Sequence, residues 1–122
     1  MKRAILLIDH GSRRAEANAL LDDVADQVRR RAPESIVEVA HLEIAQPDIA
    51  EGIDACVKKG ATQIVVHPYF LGPGRHTTED IPAHIERARK RHSNIRILIS
   101  EALGGHTALI DAILDRVGAA DH

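Results

Sequence analysis

Two histidines stand where an α/β sheet presents its chemistry. His10 follows an unbroken apolar run, Ala4-Ile5-Leu6-Leu7-Ile8, within Ile8-Asp9-His10-Gly11-Ser12-Arg13, and His76 closes a Gly-rich turn, Pro73-Gly74-Arg75-His76. If the runs before them are parallel strands, both imidazoles reach the carboxyl edge of one sheet, where open α/β sheets bind ligands. Glu43 comes to the same edge after a third apolar run, in Ala40-His41-Leu42-Glu43, and Glu101 follows a fourth in the same way. Two imidazoles and a carboxylate are a borderline ligand set, suited to Fe, Co, Ni or Zn and poorly suited to Mg or Ca, which prefer oxygen shells. The same groups can take protons near neutral pH, so one site could hold a metal and accept protons. Which histidine would do which is left open by the residue types. Arg13, Arg14 and Arg75 flank the set and offer forked donors to carboxylates, and the N–H groups opening the first helix add an anion-binding terminus.

The elements that must position these residues alternate along the chain. Strand-like runs fall at 4–8, 36–40, 63–67 and 95–99, each short and rich in Val, Ile or Leu. Amphipathic stretches separate them. The first spans about 14–31, with Leu20, Leu21, Val24 and Val28 on one stripe, Ser12 as N-cap and Pro33 beyond its end; the second spans about 47–59, with Pro47 in its first turn and Gly60 as stop. A third follows Ile81-Pro82, with Ile85 and Ala88 inward, and a fourth covers about 107–117, with Leu109, Ile110, Ile113 and Leu114. Right-handed crossovers turn this βαβαβαβα order into one α/β domain over residues 1–122, a four-stranded parallel sheet with helices on both faces. The expected strand order is 2-1-3-4, flavodoxin-like, which puts the switch-point crevice between the loops after strands 1 and 3, where His10 and His76 lie.

Composition excludes several partners. The chain has 122 residues and a formal net charge of -2, no Trp, one Tyr and one Phe, so neither a basic surface nor a stacking platform for nucleic acid is present. Cys56 is the only cysteine, which rules out an internal disulfide and Cys-based zinc clusters, and its place on an apolar helix face reads as a buried, idle thiol. No apolar run is long enough to span a membrane and no cleavage-type signal opens the chain, so the expected location is cytoplasmic. No G-x-G-x-x-G or Walker pattern occurs.

Taken together, His10-Gly11-Ser12-Arg13, Leu42-Glu43 with Pro47, Pro68-Tyr69-Phe70-Leu71 leading through Gly74 to His76, and Asp80-Ile81-Pro82 resemble the small sirohydrochlorin chelatases of the CbiX and SirB group, over essentially the whole chain. The resemblance implies insertion of Co2+, Fe2+ or Ni2+ into the tetrapyrrole sirohydrochlorin, toward cobalamin, sirohaem or a nickel cofactor. The metal would be substrate, with no permanently bound cofactor. By position, His10 and His76 match the active-site histidines of that group and Glu43 its carboxylate, with Ser12, Arg13, Arg14 and Arg75 as substrate-binding candidates. Longer members carry two such units in tandem, so the resemblance implies a homodimer here. Two other readings compete. A non-catalytic metal or tetrapyrrole carrier would keep the same ligands, whereas a receiver-like signalling domain would need clustered acidic residues after strand 1 and an acceptor Asp after strand 3, and the chain offers only Asp9. The remaining histidines have structural readings: His41 and His67 as satisfied, partly buried side chains, His84 and His92 on a solvated helix, and His106 as a cap or loop residue that competes with a pocket role.

Overall fold

The computed structural model describes residues 2–72 and 74–121, with the side chains of residues 75–78 outside that description. Its elements are β1 (Arg3–Asp9), α1 (Ala15–Arg31), β2 (Ile36–His41), α2 (Ile49–Lys58), β3 (Gln63–Pro68), α3 (Arg75–Arg91), β4 (Arg96–Ile99) and α4 (Thr107–Ala119). The strands form one parallel sheet in the order β2-β1-β3-β4, as the crossover argument requires. Residues alternate across it. Ala4, Leu6 and Ile8 point to one face with Ile64, Val66 and Ile97, where they pack on Ile49, Ile53 and Cys56 of α2 and on Ile81, Ile85 and Ala88 of α3. The opposite face carries Leu7 and Val37 against Leu21 and Ala25 of α1, which lies over β1 and β2.

Each fully buried Leu or Ile contributes roughly 1.5–3 kcal/mol by leaving water, so the first cluster is the larger source of stability. Gly52 makes the approach of α2 to the sheet feasible, since a Cβ there would stand 2.9 Å from both Ala40 Cβ and Leu6 Cδ1. Cys56 is buried, and desolvation pushes its thiol up to about 12, which keeps it protonated and inert. No helix among the described residues is long and apolar enough to cross a membrane.

Three local expectations are corrected. Ser12 is not the cap of α1; Arg14 takes that position without a side-chain bond, and Ser12 Oγ accepts the Arg14 N–H at 3.0 Å inside the preceding turn. Pro47 stays outside α2, where its carbonyl accepts the His41 N–H at 2.8 Å, while Asp48 and Glu51 form a reciprocal capping box that starts the helix. The third helix begins at Arg75, so Pro82 lies inside it and the backbone of His76 belongs to its first turn and not to a loop. A proline tolerated within a helix defeated the usual boundary signal. The fourth helix forms where its periodicity predicts, yet none of its residues is buried, because among the described residues no other element packs extensively against it.

Candidate functional site

The carboxyl edge of the sheet is built by cross-links between loops. The β1–α1 turn begins with Asp9, whose Oδ1 accepts the Gly11 N–H at 3.0 Å and lies 2.5 Å from Nδ1 of His41. His41 is 3% exposed and Asp9 partly buried, so this pair is a largely buried strut between β1 and β2. Farther out, the His10 carbonyl accepts the Glu43 N–H at 3.1 Å, and Asn18 clasps Ser12 from both sides, accepting its N–H and donating to its carbonyl. Gly11 has φ of +88°, and a Cβ there would come 1.8 Å from the Glu43 carbonyl oxygen. Only glycine admits that contact in that conformation. The turns bearing His10 and Glu43 are therefore fixed to each other by backbone, while both side chains stay exposed.

Phe70, from the loop after β3, stacks on His10 with ring centroids 4.7 Å apart and planes at 27°. Its other neighbours line a cavity of about 390 Å³ that includes Leu71, Ile81, Pro82, Ile99 and Glu101. The cavity thus sits between the ends of β3 and β4, one strand away from the crevice expected beside β1, and Phe70 connects it with His10. Two further contacts hold its rim: the Leu103 N–H donates to the Phe70 carbonyl at 3.1 Å, and Gly104 packs so closely that a Cβ would meet the Leu71 carbonyl oxygen at 2.0 Å. Because the contact with Phe70 orients the imidazole, Phe70→Leu is expected to remove the upfield ring-current displacement of the His10 ring protons in a proton NMR spectrum, at a stability cost under about 1.5 kcal/mol. Unchanged His10 resonances would show that the ring is not held there.

His10, Glu43, Arg13 and Arg14 are brought to one end of the sheet and are exposed, and Glu101 reaches the cavity rim. His76 and Arg75 are placed there by the backbone of α3, with side chains outside the described residues. Among the described residues no group of three His, Cys, Asp or Glu side chains stands ready around one metal position. His106 caps α4, its Nδ1 accepting the Ala108 N–H at 3.0 Å. His67 is half-buried against Ser100 Oγ at 2.8 Å, and burial lowers its pKa; His92 bonds Asp54 at 2.8 Å and holds that carboxyl below its usual range. The site elements missed in the sequence are Asn18, Phe70 as a partner of His10, and the Asp9–His41 pair. Only the last left a signal, an acidic residue directly before His10 at a strand end.

The chain folds as a doubly wound α/β domain with an exposed, ring-stacked histidine at its carboxyl edge, the edge at which open sheets of this class bind ligands. Within that class the chain belongs to the CbiX family, whose model matches residues 4–120. It is 42% identical over 113 residues to the chloroplastic sirohydrochlorin ferrochelatase of Arabidopsis thaliana, covering 93% of this chain and 50% of that protein. It is 30% identical over 137 residues to a sirohydrochlorin cobaltochelatase of Methanocaldococcus jannaschii, covering 93% of this chain and 96% of that one. Among solved structures, the sirohydrochlorin chelatase SirB from Bacillus subtilis subspecies spizizenii in complex with cobalt superposes with a TM-score of 0.89 at 34% identity, over 98% of this chain and 51% of SirB. A CbiX protein from Marinobacter aquaeolei VT8 superposes with a TM-score of 0.83 at 30% identity, over 97% and 96%. The chain thus spans about half the length of several curated relatives it matches and nearly all of others.

Proposed function

We propose that this protein is a sirohydrochlorin metal chelatase, which inserts Co2+, Fe2+ or Ni2+ into the macrocycle in tetrapyrrole biosynthesis, acting in the cytoplasm as a homodimer. The observation that carries this reading is the exposed His10, held against Phe70 and locked by backbone to the Glu43 turn, in a chain of the CbiX family. Insertion requires a divalent ion to shed water, reach one face of the ring and displace the protons of two pyrrole N–H groups. His10, with His76 on the neighbouring helix turn, holds the incoming ion through imidazole nitrogen, weakly enough to release it. Glu43 or the second histidine accepts the departing protons and passes them to solvent. The apolar cavity beside Phe70 receives the edge of the macrocycle, and Arg13 and Arg14, exposed in the turn with Ser12, bind its peripheral carboxylates together with Arg75, whose side chain lies outside the described residues.

An anaerobic absorbance assay of sirohydrochlorin with each metal, with and without the protein, tests the reading. Acceleration over the uncatalysed reaction supports it; binding of the tetrapyrrole with no acceleration would favour the carrier instead. Arg13→Ala is expected to raise KM for sirohydrochlorin several-fold at unchanged kcat, because an exposed carboxylate clamp contributes equally to ground and transition states, and added salt should mimic it. Steady-state kinetics that instead lose kcat would move Arg13 into the chemical step.

A further inference from the structure

The turn that carries Glu43 holds a strained residue directly after it. Ile44 has φ of +76°, and among the described residues it is the only one other than glycine with a positive φ. The Ala45 N–H donates to the Glu43 carbonyl at 2.9 Å, so residues 43–45 form a γ-turn of the rare, strained kind with Ile44 at its centre. A β-branched side chain suits that conformation poorly, whereas Gly or Asn adopts positive φ readily. The Ile44 side chain is also 63% exposed. Folding therefore gains little from isoleucine here, since the backbone is strained to hold it and its apolar surface stays in water. Bonds on both sides keep the strain from relaxing: the His10 carbonyl accepts the Glu43 N–H, and the Pro47 carbonyl accepts the His41 N–H. Strain maintained in this way collects at ligand clamps, where a side chain must be aimed in advance.

Strand order shows what Ile44 is aimed across. β1 lies between β2 and β3, so the His10 turn is flanked by the loop after β2, bearing Ile44, and the loop after β3, bearing Leu71. Leu71 is 68% exposed and lines the cavity beside Phe70, with its carbonyl packed against Gly104. Two exposed apolar side chains thus bracket an exposed imidazole at one edge of the sheet. We propose that Ile44 is a substrate-binding residue, which with Leu71 on the other side of the His10 turn grips an apolar stretch of the tetrapyrrole, the γ-turn holding it in place before the ligand arrives. A broad, flat macrocycle laid over His10 reaches both side chains; a bare metal ion or a small anion gains nothing from either. The assignment rests on the tetrapyrrole substrate proposed above and adds a contact on the Glu43 side of the site.

Titration of the full chain with metal-free sirohydrochlorin, followed by absorbance, reads the contact without turnover. Ile44→Asn is expected to weaken binding by about tenfold, because burial of a branched aliphatic side chain against the ligand is lost. Its melting temperature should equal or exceed that of the unmodified protein, since Asn accepts the positive φ. Ile44→Leu keeps the apolar bulk and should bind within about threefold of the unmodified protein. In metal insertion the loss in Ile44→Asn should appear in KM and not in kcat. Unchanged affinity in Ile44→Asn overturns the assignment, and so does a loss of affinity that comes with a lowered melting temperature, which would mark a structural role. Should Ile44→Asn not fold, Ile44→Gly is read by the same criteria. If the unmodified protein binds sirohydrochlorin but inserts no metal, the chelatase reading falls and the affinities still decide the role of Ile44. If it does not bind the tetrapyrrole, both fall.

Discussion

Replacing His10 by Ala is expected to slow metal insertion by about 10²–10⁴-fold, the range that loss of a positioned ligand or proton acceptor commonly costs. Folding should hardly notice. The ring is exposed, and its one aromatic contact, with Phe70, accounts for at most about 1.5 kcal/mol. His41→Ala is the informative contrast. That ring is buried and bonded to Asp9, so its removal leaves a carboxylate short of a partner inside a strand-to-strand strut and should cost about 1–3 kcal/mol of stability. Anaerobic insertion rates set beside thermal unfolding of both variants separate the two roles. If His10→Ala inserts metal at the unmodified rate, the chemistry lies elsewhere.

Gly11→Ala is expected to be nearly as damaging, by a different route. At φ of +88° an L-residue costs roughly 1–2 kcal/mol, and the added methyl would overlap the Glu43 carbonyl oxygen, so the turn must move or the two loops must part. Either movement shifts His10 against Glu43 by a large fraction of an ångström or more, and misplacement of that size can cost about 10²-fold in rate. Gly60→Ala provides the control. It has φ of +98° with nothing within 4 Å of where the added methyl would stand, so it should show the backbone strain alone: a lowered melting temperature and an unchanged rate. Equal rates for the two glycine variants would show that the Gly11 contact does not set the geometry of the site.

The sheet was legible in the sequence because its strands announce themselves twice. Each is a short apolar run, and each is followed by a helix-period segment that forces a parallel crossover, which leaves few topologies to choose among. His10 and Glu43 could be placed at the carboxyl edge for the same reason, since both follow a strand directly. Helix starts were less legible. Ser12 is the right residue type for a cap and Pro47 for a first turn, yet Asn18 claims the backbone of Ser12 and the capping box of Asp48 and Glu51 starts the helix later. Local propensity was outvoted by side chains several residues away.

What only the tertiary structure decided is which surfaces meet. The contact of Gly11 with Glu43, the stacking of Phe70 on His10 and the Asp9–His41 strut each join residues at least 32 positions apart, and no periodicity in the chain encodes such distances. The cavity lies beside β3 and β4, with Phe70 both in its lining and stacked on His10, an arrangement that strand order alone does not specify. The apolar stripe of α4 makes the same point in reverse. Spacing establishes that Ile110, Ile113, Leu114 and Val117 share a face, because helical geometry is local, but a hydrophobic face carries no record of what covers it. Packing supplied that answer for α1, α2 and α3 within the chain and withheld it for α4.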